Sequence, residues 1–553
     1  MDEKKLRVLS RREVEALIAE DRKVFILDQF VIKADAWIPY HPGGEKAILH
    51  MVGRDATDEV TALHSAKTKQ GMMRYRIGRI EGRWENFIPP LQGGRFRMAV
   101  DDVDTIYNPE TIPLVPAGRQ GSPDSSQGFD SDSSTCRSRG TRAASSGPSS
   151  APSVASVKED DDGMAHLDSV TREKIALDLE TYPAVDAATQ DTIVAKYRRL
   201  DARIRAEGLY ECRYESYAVE SCRYVSLFAL SMLFLHVGWY VVSAVCLGAM
   251  WQQLAFTAHD AGHMGITHNF NIDSLIGILV ADFAGGLSIG WWKRNHNIHH
   301  IVTNSPEHDP DIEYLPLLAV SHRFFANLRS TYYEQLMEYD AVAQFAIRFQ
   351  KYSFYPLMLL GRFNLYALSW GYLLQGQRSR RGPGWWHWYL EIAGQAFFWY
   401  WYGYALVYKS IPNLWSRVAF VLVSHMVQAP LHVQLTLSHF AMSTADLGPQ
   451  ESFPQRMLRT TMDVDCPQWL DFFHGGLQFQ SIHHLYPRIP RHNLRRAQKL
   501  VQEFCNDVGI PYALYGFVDG NKQVIGALSE VSRQAAILAK CQRTIASQGN
   551  VSH

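Results

Sequence analysis

WWKRNHNIHHIVTN, residues 291–304, places histidines at 296, 299 and 300 directly after an apolar run. Residues three and four apart share one helix face, so His296, His299 and His300 offer three imidazoles from the same side. Two more strings repeat the pattern. HDAGH at 259–263 carries His259 and His263, and QSIHH at 480–484 carries His483 and His484, with Gln480 where a third imidazole would complete the series. His439, in LSHF at 437–440, is the eighth of the set. Imidazole suits iron, zinc or copper. Eight are too many for one tetrahedral zinc, and two metal ions fit the count. Soluble di-iron bundles use Glu and Glu-x-x-His ligands, whereas carboxylates are sparse within these boxes.

Each member of the set has a plainer reading. HDAGH alone also suits structural histidines, whereas the adjacent imidazoles of HNIHH are costly to bury without a metal. His439 ends an apolar run, where an interfacial histidine is natural. Gln480 can ligate, hydrogen-bond around the metal or shape the pocket, and the middle role is preferred. His474 is the alternative source of the missing imidazole. Asp309, Asp311 and Asp463 are candidates for orienting ligand N–H groups.

Apolar runs flank the boxes at roughly 224–257, 273–292, 353–375, 388–409 and 414–438. A spanning helix needs about 20 apolar residues, so the first run suits a hairpin of two spans bent near Gly238 or Gly248. The 14 Trp and 26 Tyr crowd these runs, as membrane–water interfaces favour. If all boxes serve one centre, the chain between them crosses the bilayer an even number of times. The run at 273–292, with Asp282, is then predicted to lie in plane, and 353–375 is interrupted by Arg362 and Asn364. Four spans remain: the hairpin, 388–409 and 414–438.

The front of the chain reads as a separate soluble domain over 7–83. Ser10 starts a helix, VFILDQFVIKADAWI (24–38) suits strands, and HPGG follows at 41–44. His41 and His64 stand 23 residues apart. Two neutral imidazoles presented from opposite sides of a pocket can hold haem iron axially. With both axial positions filled, such a haem relays single electrons. His50 has no comparable role and reads as a surface residue. Residues 118–163 are dominated by Ser, Gly and Pro and cannot bury enough surface to offset their ordering entropy, so a disordered linker is expected. An amphipathic connector follows at 165–210, whose KYRRLDARIRAE (196–207) is expected against the membrane surface or in solvent. The membrane domain occupies 211–515, and 516–553 reads as a tail. A net charge of −1 gives no basic surplus for nucleic acid. Seven scattered cysteines without a CxxC pair fit a reducing face. The charged N-terminus lacks an apolar signal core, which leaves the front in the cytosol.

The string from His41 to His64 resembles the cytochrome b5 family over about 75 residues, departing at Val60, where that family often has an aromatic. The boxes resemble the membrane desaturase and hydroxylase superfamily. HGGLQFQSIHHLYPRIPRHNL (474–494) is similar to the third-box signature of front-end desaturases with a fused cytochrome b5 domain. WWKRNHNIHHIVTNSPEHDPDIEYLP (291–316) and the Ser-rich insert look most like fungal sphingolipid Δ8-(E)-desaturases. The resemblance implies an N-terminal α+β cytochrome b5-like haem domain and an all-α multi-pass membrane desaturase domain of about four spans with a cytosolic helical cap. It implies haem b on His41 and His64, and two iron ions on His259, His263, His296, His299, His300, His439, His483 and His484, with O2 as co-substrate. It further implies a trans double bond at C8–C9 of the sphingoid base of ceramide or a related sphingolipid. No Gly-rich dinucleotide fingerprint occurs, so a separate NADH-cytochrome b5 reductase is the expected partner, at the cytosolic side of the endoplasmic reticulum membrane. Ser481 and Ile482 stand where the family often has Ile-Glu, which puts hydrogen bonding around the third box in question. The rival readings are an acyl-CoA or acyl-lipid front-end Δ5 or Δ6 desaturase, a lipid hydroxylase, and a non-catalytic membrane haem protein.

Overall fold

The computed structural model describes residues 6–96, 163–376 and 381–549; of the linker expected at 118–163, only Gly163 falls among them. The front unit begins at α1 (Arg11–Ala19), closed by a reciprocal cap in which Ser10 Oγ accepts from Glu13 N–H and the Glu13 carboxylate accepts Ser10 N–H at 2.7 Å. Strands β1 (Val24–Leu27) and β2 (Phe30–Lys33) form an antiparallel hairpin, and β3 (Arg76–Arg79) adds to β2. Between β2 and β3 run the short helices α2 (Lys46–Leu49), α3 (Thr57–Leu63) and α4 (Ala66–Met72). Asp55 Oδ1 starts α3 by accepting Thr57 N–H at 3.0 Å. The unit is α+β, with His41 and His64 on its helical side.

Helices α5 (Gly163–Thr181) and α6 (Ala187–Ala206) follow. The stretch 196–207 keeps its charged residues exposed, as expected, but its apolar residues are buried inside the protein. Ile193, Tyr197, Leu200 and Ile204 of α6 share one buried core with Met457, Ile482, Leu485 and Val501. Tyr197 Oη donates to Leu485 O at 2.9 Å. The charges of α6 lie on its outer side, and its apolar stripe braces the third histidine box.

The apolar part opens with α7 (Tyr214–His236) and α8 (Tyr240–Gly262), joined at Gly238, whose φ of +80° makes the sharp turn. Next, α9 (Phe270–Ile278) extends as a π-type turn through Ala284, and α10 (Ile289–Val302) leaves it at 117°. After α11 (Ala341–Arg348) comes α12 (Gln350–Leu374), which runs through the interruption noted at Arg362. That guanidinium is buried and donates to Tyr366 Oη at 2.9 Å, Gln428 Oε1 at 2.5 Å and Gly285 O, so its polarity is satisfied internally. Helix α13 (His387–Phe398) continues as a π-type helix to Lys409, and α14 (Leu414–Met426) leads into α15 (Ala429–Phe440). Three helices among the described residues are long and apolar enough to cross a membrane: α7, α8 and Leu414–Phe440, or up to four if the bent pair at α9 and α10 counts as one span. The Trp- and Tyr-rich stretch 388–409 is helical but falls outside that set.

A helical cap completes the chain: α16 (Phe453–Thr460), α17 (Asp471–His474), α18 (Gln480–Leu485), α19 (Leu494–Val508) and α20 (Phe517–Gly549), with β4 (Asp463–Asp465) and β5 (Leu514–Gly516) paired in parallel. Residues 516–553 had been set aside as a tail. In the structure, Val524, Leu528, Val531 and Leu538 of α20 are buried with Phe324, Leu437 and Phe440.

Candidate metal centres

Four separate segments bring the box histidines together. His259 and His263 come from the last turn of α8, His296, His299 and His300 from α10, His439 from the end of α15, and His483 and His484 from α18. Ring centroids lie 4.4 Å apart for His259 and His483, 5.1 Å for His263 and His296, and 4.6 Å for His299 and His439. Ligand atoms of His259, His263, His296 and His483 fall within 4.8 Å of one another, and so do those of His299, His439 and His484. His300 belongs to neither group and lies between them, 4.2 Å from the His484 ring and 4.8 Å from both His263 and His483. The glycine of HDAGH has a packing reason: a Cβ on Gly262 would collide with the Trp292 ring. Trp292 stacks on His296 at 4.5 Å, so α8 and α10 close only around a residue without a side chain.

The ring nitrogens fit metal ions. His259 Nε2, His263 Nε2, His300 Nδ1, His439 Nδ1, His483 Nε2 and His484 Nε2 are buried without a hydrogen-bond partner. A buried polar atom left unpaired is costly, and apart from His300 these histidines belong to the two groups. Burial, with neighbouring imidazoles adding to it, holds His483 and His484 well below the ordinary histidine range. Both rings are therefore neutral, with lone pairs available for a cation.

Carboxylates stand behind the rings. Asp309 accepts His299 Nδ1–H at 2.8 Å and the backbone N–H of Asn304 and Asp311 at 2.7 and 2.9 Å, which turns His299 Nε2 toward His439 and His484. Asp311 lies 3.5 Å from His296 Nδ1 and Asp260 lies 3.6 Å from His259 Nδ1. Asp463 differs from the expectation: it accepts Ser481 N–H at 2.8 Å, Gln498 Nε2 at 3.0 Å and the Tyr512 hydroxyl, and so anchors the backbone of the third box, not a ring. Burial pushes its carboxyl up to about 7. Ser481, where the motif departs from the family pattern, uses its hydroxyl on Thr461 at 3.1 Å, and Ile482 is buried in the core under α6. Gln480 is buried with Oε1 unpaired. His474 pairs with Gln434, its ring neighbours are Phe473 and Phe517, and it joins neither group. Sequence reading did not single out Arg491, which ties the third box to the first by donating to Asp260 and Glu220.

In the front unit, the His41 and His64 rings face each other with centroids 5.9 Å apart. His41 Nδ1 donates to Gly44 O at 2.8 Å, leaving Nε2 for a ligand, and His64 Nδ1 is buried without a partner. Burial lowers the His64 pKa to about 3, with His41, Arg488 and Lys293 adding to the effect. Two neutral imidazoles with space for a metal between them fit axial ligation of a haem. The glycines of HPGG also serve docking. A Cβ on Gly43 would come 2.5 Å from Asn297 Nδ2, and one on Gly44 3.4 Å from Arg294 Cγ. Ile298, Ile301 and Val302 of α10 share a core with Ile48, Met51 and Val60. Arg198 pairs with Asp58 at 2.7 Å, and Lys46 Nζ donates to Thr331 O at 3.0 Å. His50, read in sequence as a surface residue, is buried at this interface, bonded to Gln92 and 5.5 Å from the His308 ring.

A model of the fatty acid desaturase family matches residues 237–516, and one of the cytochrome b5-like heme/steroid binding domain matches residues 10–81. A Delta 8-(E)-sphingolipid desaturase of Emericella nidulans is 58% identical over 542 residues, covering 98% of this chain and 97% of the relative. One from Komagataella phaffii is 45% identical over 97% of this chain and 96% of its own. An acyl-lipid (9-3)-desaturase of Borago officinalis is 36% identical over 62% of this chain and 76% of its own.

Proposed function

The chain belongs to the fatty acid desaturase family and carries a cytochrome b5-like domain at its front, and from that premise we propose that it is a Delta 8-(E)-sphingolipid desaturase. One structural observation carries the reading beyond the premise: α10 holds three box histidines on one side and packs the haem-type domain on the other. The near full-length identity to Delta 8-(E)-sphingolipid desaturases supports the substrate.

His41 and His64 would hold haem b. His259, His263, His296, His299, His300, His439, His483 and His484 would hold two irons, with Gln480 beside them. When bound, these groups supply electrons one at a time and the reduction of O2 that removes two vicinal hydrogens from an alkyl chain, releasing two waters. The protein's part is placement. Asp309 fixes the His299 tautomer, Asp311 and Asp260 favour the same orientation at His296 and His259, and Asp463 holds the α18 backbone. Burial and the neighbouring imidazoles keep His483 and His484 neutral.

The domain limits follow: 7–83 for the haem unit and 211–515 for the desaturase unit. We place four spans at α7, α8, 388–409 and 414–438, and read the bend of 117° between α9 and α10 as a re-entrant turn, which keeps every box on one side of the bilayer. That side is the cytosolic face of the endoplasmic reticulum, where an NADH-cytochrome b5 reductase supplies electrons. Expression in a host whose sphingoid bases are saturated at C8, with double bonds located by mass spectrometry, tests the reading. The expected product is an E double bond at C8–C9 of the sphingoid base. New unsaturation at C5 or C6 of acyl chains, or a hydroxylated lipid, would replace this function by one of its rivals.

A further inference from the structure

A belt of exposed apolar side chains runs along the cap where it meets the apolar helices, and three separate segments build it. In α11 and the first turn of α12, Val342, Phe345, Phe349 and Tyr352 recur at i, i+3, i+7 and i+10 and are exposed. Ala343 and Ile347, on the opposite side of α11, are buried with Leu528 and Val531 of α20. Phe345 is 70% exposed, as open as Val225 at 68% on α7. Between β4 and α18, Trp469, Phe472 and Phe473 are exposed, and so are Phe517 and Val518 at the start of α20. Single exposed apolar residues are ordinary, whereas a contiguous set marks an interaction surface.

The three segments adjoin. The His474 ring lies 5.5 Å from Phe473 and 6.1 Å from Phe517, and Tyr355 Oη, near the start of α12, donates to Asn521 Oδ1 of α20 at 3.0 Å. At its other end the belt meets the α7–α8 hairpin. Gln252 and Gln253 of α8 donate to Phe473 O and Phe472 O at 2.8 and 3.0 Å. Arg223 of α7 lies over the Phe472 ring at 4.9 Å, two residues before the exposed Val225. Gln253 precedes His259 by six residues, about 9 Å along the helix, so the belt runs on the membrane side of the boxes, beside the box-side end of the hairpin. Arg348 and Lys351 edge the α11 stripe, over the Phe349 and Tyr352 rings at 5.7 and 4.9 Å. Basic side chains with their stems along an apolar stripe are the pattern of a helix lying on a lipid surface.

We propose that this belt seats the cap in the bilayer, with α11 in the plane of the leaflet on the box side and Arg348 and Lys351 at the level of the lipid phosphates. Lipid is the occupant because the belt continues the exposed apolar face of α7 at the height where the hairpin leaves the boxes. The cap is then held to the membrane along its edge, beyond the helices that cross it. The inference rests on the reading of α7 and α8 as spans.

The experiment uses the unaltered full-length protein in nanodiscs of phosphatidylcholine and phosphatidylserine. A trace of phosphatidylcholine carries a diazirine near the glycerol end of one acyl chain, and photolabelled peptides are mapped by mass spectrometry. Val225 and Phe228 of α7 report lipid contact, and Tyr75 and Ile77, exposed on the front unit, report background. Label across 342–352, 469–473 and 517–518 should match that on α7. Label there no higher than at Tyr75 and Ile77, with α7 labelled, would overturn the proposal. Protein-to-protein cross-links at Phe345 or Val518 in its place would assign the surface to a partner chain and overturn it equally. An unlabelled α7 would remove the span reading, and this proposal with it. Arg348→Gln and Lys351→Gln test the phosphate contact. Each should lower the retention of phosphatidylserine by the purified protein by about fivefold, and unchanged retention in the double variant would overturn the placement of α11.

Discussion

The paired imidazoles at His41 and His64 and the box cluster around His296 and His299 are built of the same rings, yet the charges around them differ. At the first, Lys293, with Arg294, Asp273 and Glu391, lines a cavity that includes His41, and the charges of Arg488 and Lys293 act on His64. Asp260, Asp309 and Asp311 stand behind the second. Iron held by neutral imidazoles leaves a cationic site, which buried carboxylates stabilise. A haem with two carboxylates brings its own negative charge, and the cavity beside His41 carries both signs. Under the proposed function one ligand type serves two cofactors, and the carboxylates behind the box histidines mark the iron site.

Removing a ligand from one site without disturbing the other is the strongest way to break this division. His299→Ala should abolish iron binding at its site and lower lipid desaturation by more than about 100-fold, since even a partner behind a ligand is worth roughly 10–100-fold. Its haem absorption should stay as in the wild type. His64→Ala should do the reverse, losing the low-spin haem spectrum and keeping its iron by metal analysis. A His299→Ala protein that also loses haem would show that the two sites are one folding unit.

A smaller effect separates carboxylates that orient a ring from those that hold backbone. Asp309→Asn leaves the shape but removes the acceptor charge facing His299 Nδ1, and activity and iron retention should fall about 10–100-fold. Asp463→Asn touches the third box through Ser481 N–H, Gln498 and Tyr512 only. It should change thermal stability while leaving iron retention within a few fold. Equal iron loss in both variants would erase the distinction.

The contact between the sites comes next. Gly43→Ala would bring a methyl group 2.5 Å from Asn297 Nδ2, an overpacking worth about 1–3 kcal/mol. Reoxidation of reduced haem in the presence of O2 and lipid should slow several-fold, and Asn297→Ala in the same chain should restore it. Failure of the rescue would mean that the methyl group acts within the front unit, on the HPGG turn or on the His41 ring 3.0 Å away, and not through docking.

How legible each site was in sequence follows from where its residues come from. His41 and His64 lie only 23 positions apart in one stretch, and the i, i+3, i+4 spacing of HNIHH displays its own face. The convergence of α8, α10, α15 and α18 has no local signal; only the repeated box pattern pointed to it. Arg491 was missed because an arginine among PRIPRH has no periodic mark, and its partners Glu220 and Asp260 lie more than 230 residues earlier. His50 was misplaced because the surface covering it belongs to another domain. The packing of α6 was not legible for the same reason: its charged residues read clearly, while its stripe of Ile193, Tyr197, Leu200 and Ile204 had no visible partner until Ile482 and Val501 were placed against it.

The smallest effect concerns a carboxyl that should be left out of the anionic set. Glu313 follows Asp309 and Asp311 closely, but both its oxygens are buried, and burial raises its pKa to about 8 from an ordinary 4.5. The folded protein then keeps a proton that the unfolded chain has lost above pH 4.5. Its contribution to stability is fully present below about pH 4.5 and declines as pH rises through the folded value near 8. One proton sets the slope, at most about 1.4 kcal/mol per pH unit. Melting curves of the solubilised protein between pH 5 and 8 should therefore fall for the wild type and flatten in Glu313→Gln, with the variant more stable at the alkaline end. A slope as steep in Glu313→Gln as in the wild type would place an ionised Glu313 beside Asp309 and Asp311, and the negative charge behind the box histidines would be larger by one than the comparison with the haem side assumes.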